Sequence, residues 1–382
     1  MSIAQPPSQP QPMQIDLMSP GARMLRISTT FTTRCNLRCV YCPEGSHPES
    51  FYGEMSPEML DHLIAYAKQK GSFVDISYYG DSTFHENFGE YARHILDSGV
   101  ELAITSNLAR LLRDDEIAVL ARCRKVAFSF DTQDRDAAKA IRKGLDLRTL
   151  VFNILRVRAH CLKNAIPVPP FNLHAVLVDT TVDDLPNLVA FAAAMGLQSV
   201  SCNELADFEG ALGNLRNIAD LRGVELTAAI GKINEAMELA KRLNVEFIFS
   251  GEQVARINLA ASGNLKEGAA TARVGIQGTY YFKGGDEANE LQPGMTRHCT
   301  EPWTAPILNP NGEVYPCCAR GTVMGIVDAE TSLAAVHNNE TFRQLRRSLL
   351  TGENLDTECR VCHLAQPTTP PVLQHQVAGL TL

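Results

Sequence analysis

Short apolar runs alternate with amphipathic stretches along most of this chain. Runs of strand length, bounded by turn-forming residues, predict six buried strands: 24–32, 73–79, 100–105, 125–130, 172–179 and 198–202. Between them, apolar residues at helical spacing predict helices, including one that starts at Ser56-Pro57 and a long one over 135–159. This alternation predicts a parallel α/β sheet with helices outside. Right-handed crossovers curl such a sheet into a partial (β/α)6 barrel, whose chemistry lies at the carboxyl ends of the strands.

Three cysteines follow the first predicted strand directly. Cys35, Cys39 and Cys42 stand in a C-x3-C-x2-C pattern, with Tyr41 just before the last of them. Three thiolates can hold three irons of a [4Fe–4S] cube and leave the fourth iron open, whereas a cluster that only carries electrons normally has four cysteine ligands. The alternative is a zinc site, but zinc usually has four closed ligands and nothing nearby supplies the fourth.

Composition and charge limit the classes of protein and partner that this chain is compatible with. The chain has 382 residues, 45% hydrophobic and 20% charged, and a formal net charge of −8 without a long basic run. These values predict a globular protein and disfavour nucleic acid or an anionic membrane as a partner. No apolar stretch approaches the roughly 18 residues that span a bilayer. Residues 1–22, rich in Pro, Gln and Ser, predict a disordered tail rather than a signal peptide. Eleven cysteines in such a chain favour metal binding in a reducing cytoplasm over disulfides.

A second group of cysteines lies near the C-terminus. Asn311-Gly312 predicts a hairpin that presents Cys317 and Cys318, and Cys359 and Cys362 follow in a C-x2-C pair. Together with Cys299 they offer four thiolates, which can close a [4Fe–4S] cube or hold a tetrahedral zinc. Spacing alone leaves both open.

The C-x3-C-x2-C pattern resembles the radical S-adenosylmethionine (radical SAM) superfamily. The resemblance implies that the open iron binds SAM, that the reduced cluster cleaves it to a 5′-deoxyadenosyl radical, and that this radical abstracts a hydrogen atom from substrate. Turns after the later strands resemble the family's SAM-binding segments, although Gly80-Asp81 and Arg142 depart from the usual patterns. The implied SAM-binding residues are Tyr41, Gly80, Asp81, Ser106, Asn107, Ser129, Asp131 and Arg142.

The C-terminal cysteines resemble a SPASM domain in its truncated, twitch-like form, because no cysteine follows Cys362. This resemblance implies one auxiliary [4Fe–4S] cluster held by Cys299, Cys317, Cys359 and Cys362, with Cys318 as a substitute for Cys317 or a spare thiol. In chain order, the predicted layout has a tail over 1–22, a barrel core over 23–205, a connecting and substrate region over 206–294, an α+β auxiliary-cluster domain over 295–365 and a C-terminal tail over 366–382.

The expected function is that of a radical SAM enzyme acting on a small polar substrate of the sugar, aminocyclitol or aminoglycoside type, by dehydrogenation or epimerisation. Flavodoxin or ferredoxin is the expected electron donor. Cys202, at the end of the sixth predicted strand, is a candidate hydrogen-atom donor, and Glu204 and Asp207 are candidate bases. Modification of a ribosomally made peptide is the alternative, and a zinc or iron–sulfur scaffold is the third class. The sequence does not indicate an oligomeric state.

Overall fold

The computed structural model describes most of the chain. The described residues are 16–22, 24–42, 53–205, 215–249, 257–258, 260–261, 272–276, 279–283, 290–362 and 364–381. Most of the predicted N-terminal tail and the candidate base Asp207 lie outside them. No described helix is long and apolar enough to cross a membrane.

Sixteen strands are described. In chain order they are β1 Arg26–Thr29, β2 Arg38–Cys39, β3 Phe73–Asp75, β4 Leu102–Ser106, β5 Lys125–Ser129, β6 Arg142–Lys143, β7 Phe171–Leu177, β8 Ser199–Glu204, β9 Glu246–Phe249, β10 Ala272–Ile276, β11 Thr279–Lys283, β12 Thr296–Arg297, β13 Ile307–Leu308, β14 Glu313–Tyr315, β15 Gly325–Ile326 and β16 Pro367–Thr368.

The central sheet has ten strands in the order β15-β14-β13-β1-β3-β4-β5-β7-β8-β9. The strands from β1 to β9 in this order pair in parallel, which confirms the predicted α/β barrel sheet and adds β9 as a seventh parallel strand. On the other edge, β13 pairs in parallel with β1, and β14 and β15 follow antiparallel. The C-terminal cysteine region therefore shares its sheet with the barrel.

Helices that contact β1, β4, β8 and β9 cover the barrel part of this sheet. The described α-helices are Pro57–Lys70, Phe88–Asp97, Asp114–Leu120, Arg135–Ile141, Leu147–Lys163, Leu185–Ala194 and Gly223–Leu243 in the barrel half, then Glu301–Thr304, Leu333–His337, Glu340–Thr351, Thr357–Arg360 and Pro370–Thr381. Local sequence fixes several of their ends: Ser56 caps the first with its side chain, and Gly71 ends it in the left-handed region.

The long helix predicted over 135–159 is wrong in one respect, because the structure has two helices there. The first ends at Ile141, and Gly144, at φ +98°, turns the chain before Asp146 caps the second. Between them, Arg142 and Lys143 form β6, which pairs antiparallel with the cysteine-bearing β2. The break therefore positions the cysteine loop.

Both predicted tails differ from expectation where they are described. In the N-terminal stretch, the backbone N–H of Gly21 donates to the Trp303 carbonyl at 3.0 Å. At the other end, β16 pairs with β12, and the helix Pro370–Thr381 buries Leu373 and Val377 completely. Leu373 and Val377, at helical spacing, join the main hydrophobic core and so attach this last segment to the rest of the protein.

The two faces of the barrel sheet differ in chemistry. Along β7, Phe171, Leu173, Ala175 and Leu177 are buried, whereas the residues between them are only half-buried. The buried set joins the main hydrophobic core with residues of the covering helices. The half-buried set faces the inner side of the curled sheet, because side chains alternate between faces along a strand.

Candidate active site

The three-cysteine loop lies at the carboxyl end of β1. Cys39 is buried within β2, and Cys35 and Cys42 are half-buried. The backbone N–H of Leu37 points at the Cys35 sulfur at 3.4 Å, and the Cys42 N–H donates to the Cys39 carbonyl at 3.1 Å. Burial raises the pKa of the Cys39 thiol, while Arg142 beside it acts to lower that pKa. A bound metal removes this cost, because a coordinated thiol is deprotonated.

Gly80 brings the turn after β3 against this loop. Its φ is +56°, and an added Cβ would lie 2.5 Å from the Thr33 carbonyl carbon and 2.6 Å from the Arg34 oxygen. The next residue, Asp81, donates its backbone N–H to that Arg34 oxygen at 2.9 Å. Only glycine fits such a contact. Gly80 thus allows the turn after β3 to lie in close contact with the backbone that leads into the cysteine loop.

Asp81 binds protein groups on three sides. Its carboxylate accepts the Thr83 hydroxyl at 2.6 Å, the Ser106 hydroxyl at 2.9 and 3.0 Å, and the Asn107 backbone N–H at 2.8 Å. The side chain is 2% exposed. Asp81 therefore joins the turns after β3 and β4, which is a positioning role within the predicted SAM-binding set.

Asn107 extends this network to the cysteines. Its amide nitrogen lies 3.5 Å from the Cys35 sulfur and 2.8 Å from the Asn36 side-chain oxygen, to which it donates. Hydrogen bonds to ligand sulfurs tune iron–sulfur clusters. Asn107 thus links the predicted SAM-binding set directly to the sulfur of a predicted cluster ligand.

Arg142, Asp131 and Tyr41 form a buried ionic group behind the loop. Arg142 makes two hydrogen bonds to the Asp131 carboxylate, at 2.7 and 2.8 Å, and Tyr41 donates its hydroxyl to the same carboxylate at 2.9 Å. Asp131 also accepts the Val176 N–H at 2.9 Å, which ties the group to β7. The Arg142 fork is here bound to Asp131, and the pairing of β6 with β2 places Arg142 beside the cysteine loop, while its part in SAM binding stays a prediction.

The inner face near these residues is polar. Ser129 pairs in register with His174, and His174 with Ser201, so their side chains share that face. Burial, together with Lys125 and Arg142 nearby, lowers the pKa of His174 to about 4. The imidazole is therefore neutral at physiological pH. Sequence reasoning missed His174, although its place between Leu173 and Ala175 in a predicted strand marks it as a polar inward residue.

Cys202 lies on the other face. It pairs in register with Ala175, which is buried in the core with Leu173, and Cys202 itself is 2% exposed. Burial raises the pKa of its thiol to about 12. Alternation along β8 thus directs Cys202 toward the covering helices, away from the inner face, and its role as a hydrogen-atom donor to substrate stays a prediction that this position does not support. A strand-end position predicts the rim of a barrel but not the face.

Four thiols of the C-terminal region line one pocket. Cys299, Cys317, Cys359 and Cys362 meet there with apolar residues such as Leu345 and Leu349. Burial raises the pKa of Cys299 to about 12; a backbone hydrogen bond from Glu301 acts to lower it, and the charges of Cys362, Glu301 and Cys318 act to raise it. Cys317 is half-buried and Cys318 is exposed, which supports the predicted choice of Cys317 as ligand. Among the described residues, no three His, Cys, Asp or Glu side chains lie close enough together to hold a single metal ion.

Arg297 holds the C-x2-C segment in place. It donates from Nε to the Cys359 carbonyl at 3.0 Å and from Nη1 to the Ala365 carbonyl at 3.2 Å, and it also binds the Arg360 carbonyl. The side chain comes from β12 and is 2% exposed. A buried guanidinium whose donors are satisfied by carbonyls rigidifies the loop that carries two thiols.

Comparisons with known families agree with this geometry. The radical SAM superfamily model matches residues 29–191, and the SPASM iron–sulfur cluster-binding domain model matches residues 299–363. The probable GTP 3′,8-cyclase of Methanocaldococcus jannaschii is 27% identical over 184 residues, 46% of this chain and 56% of that protein. The corresponding Pyrococcus abyssi protein is 31% identical over 131 residues, 34% and 41% respectively. The chain thus spans about half the length of the curated relatives it matches.

Solved structures show the same fold at lower identity. Streptococcus suis SuiB superposes with a TM-score of 0.59 at 17% identity, over 86% of this chain and 68% of that one. The structure of anSMEcpe with bound AdoMet and a peptide gives a TM-score of 0.54 at 14% identity, over 84% and 82%. Similarity at this level of sequence identity shows only that the fold is shared.

The chain therefore carries a radical SAM domain, followed by a C-terminal SPASM iron–sulfur domain. These domains imply SAM and two [4Fe–4S] clusters as cofactors, one cluster that binds SAM and one auxiliary. The residues present fit these groups: three thiols stand on one loop against a glycine-lined turn, and four thiols line a separate pocket. Which thiols bind which cluster stays a prediction.

Proposed function

We propose that this protein dehydrogenates a small polar substrate of the sugar, aminocyclitol or aminoglycoside type. The observation that carries the proposal is the polar inner face of the barrel, where Ser129, His174 and Ser201 stand side by side. When bound, the SAM-side cluster and SAM supply a 5′-deoxyadenosyl radical that abstracts hydrogen, and the auxiliary cluster supplies an acceptor for the second electron of an oxidation.

Hydroxyl and imidazole groups on this face suit a polyhydroxylated substrate. Each hydroxyl of Ser129 or Ser201 can donate and accept one hydrogen bond or more, and a sugar offers the complementary groups. A site built for such bonds rejects apolar analogues, because its buried polar groups would be left without partners. The polar inner face thus favours a small hydroxylated molecule.

His174 is the candidate proton acceptor. Dehydrogenation of an alcohol carbon requires loss of the hydroxyl proton, and a neutral imidazole is able to take it. Its pKa of about 4 keeps the ring unprotonated in the resting enzyme, and loss of a hydrogen atom from the substrate carbon makes the attached hydroxyl a stronger acid, which eases proton transfer to the ring. The residue assigned to this step acts on the hydroxyl and leaves hydrogen abstraction to the cofactor.

Dehydrogenation is favoured over epimerisation by the position of the remaining thiols. Epimerisation needs a hydrogen-atom donor on the far side of the substrate carbon. The three cysteines outside the two predicted ligand sets and Cys318, namely Cys123, Cys161 and Cys202, are all buried in the main hydrophobic core. Cys318 is exposed beside the predicted auxiliary site and stays available as a donor only if the substrate reaches that site.

The test is a substrate screen with anaerobically reconstituted protein, SAM and dithionite. Fractions of aminocyclitols and aminoglycosides, and in parallel a library of peptides, are assayed for 5′-deoxyadenosine above the substrate-free background. A product two mass units lighter from a small hydroxylated molecule supports the proposal. A product of unchanged mass that gains deuterium in D2O points to epimerisation.

Stimulation by peptides alone replaces the proposal with the alternative function, modification of a ribosomally made peptide. SuiB and anSMEcpe are each described with a peptide bound, which is a property of those proteins. The electron donor, expected to be flavodoxin or ferredoxin, is compared with dithionite in the same assay.

A further inference from the structure

Arg320 is an arginine on the wall of the four-cysteine pocket. It lies three residues after Cys317 and lines the pocket together with Cys299, Cys359 and Cys362. Its side chain is 13% exposed. Two carboxylates hold it from behind: Nη2 is 2.6 Å from Asp356 Oδ2, and Nε is 3.5 Å from Glu358 Oε2.

Two donor nitrogens of Arg320 make no hydrogen bond to the described residues. Within the described residues, Nε and Nη1 are both buried and neither makes a hydrogen bond, since the contact of Nε with Glu358 is an ion pair without hydrogen-bond geometry. A buried donor without a partner costs about 1–3 kcal/mol, and more on a charged group. Such atoms in a native protein indicate a partner that is bound in the working molecule.

We propose that Arg320 is a positioning residue for the auxiliary cluster and donates hydrogen bonds to its sulfurs. Thiolate and sulfide sulfurs are the acceptors that a four-thiolate cluster brings into this pocket, and the cluster's negative charge matches the guanidinium. The carboxylate of Asp356 also accepts the Cys359 backbone N–H at 3.0 Å. One side chain thereby fixes both the arginine and the turn that carries a predicted ligand.

The consequence concerns reduction of this cluster. Reduction adds one electron and one negative charge without making or breaking a bond. A cation that donates to the sulfurs stabilises the reduced form more than the oxidised form, and hydrogen bonds to sulfur are an established determinant of cluster potential. Arg320 should therefore make the auxiliary cluster easier to reduce, which favours its use as an electron acceptor.

The test measures the midpoint potential of the auxiliary cluster. In a background where Cys35, Cys39 and Cys42 are all alanine, EPR-monitored titration reports the midpoint potential of the auxiliary cluster alone. Arg320→Met should lower the reduced-to-oxidised ratio at a fixed ambient potential at least tenfold, which is about 59 mV for a one-electron couple. Arg320→Lys, which keeps the charge but not the fork, should give a smaller shift in the same direction.

Arg360→Met is the matched control. Arg360 is next to Cys359 in sequence, but 48% of its side chain is exposed and it pairs with Glu290. The Arg360→Met substitution removes one positive charge at a position where water screens it, so the midpoint potential of the auxiliary cluster should change little. Equal potentials for Arg320→Met, Arg360→Met and the parent, each with about four irons per chain, would overturn the proposal.

If Arg320→Met loses iron, the midpoint potential of Arg320→Lys becomes the test. A potential equal to the parent's in that variant overturns the proposal, and a lowered one supports it. The inference rests on the auxiliary cluster and not on the proposed substrate. Failure of the substrate screen therefore leaves it standing, and an unchanged potential leaves the proposed dehydrogenation open.

Discussion

The two cysteine sites differ in how the chain builds them. The first occupies eight consecutive residues, Cys35 to Cys42, and its thiols stand against turns after β3 and β4. The second gathers thiols from three separate segments, with Arg297 and Arg320 holding the pocket around them. A site that must bind an exchangeable molecule keeps one side open, whereas a closed site surrounds its cluster with protein. The following predictions test this difference.

The largest effect is expected from removing ligands of either site. Cys39→Ala should abolish formation of 5′-deoxyadenosine, because the SAM-binding cluster loses a ligand, while about four irons remain in the auxiliary site. Cys359→Ala should show the reverse pattern, with auxiliary iron lost and cleavage of SAM retained. Iron content and 5′-deoxyadenosine, measured on the same samples, check both. If both variants lose both properties, the two sites are not independent.

The next effect concerns the buried ion pair behind the open site. Asp131→Asn leaves the buried Arg142 charge uncompensated, and breaking such a pair typically costs about 3–5 kcal/mol. The side chains of Arg142 and Asp131 are 8% and 1% exposed. We expect a marked fall in the thermal unfolding midpoint and loss of SAM-dependent activity. Asp97→Asn, which removes an exposed pair with Arg122, is the control and should change the midpoint little.

Gly80→Ala tests the close contact of the turn with the cysteine loop. The added Cβ would meet backbone atoms at 2.5 and 2.6 Å, so the turn must move. SAM binding, measured by titration of the reconstituted protein, should weaken at least tenfold. Gly99→Ala also places an alanine at positive φ, at +86°, but has nothing within 4 Å of the new Cβ. It should cost only the left-handed strain of about 1–2 kcal/mol and leave SAM binding unchanged; equal loss in both variants would exclude a contact-specific effect.

The smallest effect is expected for His174→Gln. Uncoupled cleavage of SAM should persist, while substrate oxidation falls, because only the proton acceptor is removed. The pKa of His174 is lowered from 6.5 to about 4 in the folded protein. Between these values the unfolded chain binds more protons, so the wild type loses stability as pH falls through this window. His174→Gln should lose less, as measured by unfolding midpoints at pH 7 and pH 5. An identical pH dependence would contradict the assigned environment.

The barrel was predictable because its evidence is local and periodic. Six apolar runs of strand length predicted β1, β3, β4, β5, β7 and β8, and the alternation with helices predicted their parallel pairing. The break at Arg142 was not predicted, because β6 is only two residues long and gives no periodic signal of its own. A long-range strand pair with β2 decides it.

The candidate sites were also predictable only in part. The sequence alone determined that three thiols stand together on one loop and that a second set exists near the C-terminus, because ligand spacing is a property of neighbouring residues. Tertiary structure alone decided that Cys202 faces the covering helices, that Arg142 is bound by Asp131, and that Arg320 lies on the wall of the four-cysteine pocket. The physical reason is that the face of a strand and the partner of a charge depend on packing between segments distant in sequence, which no local pattern contains.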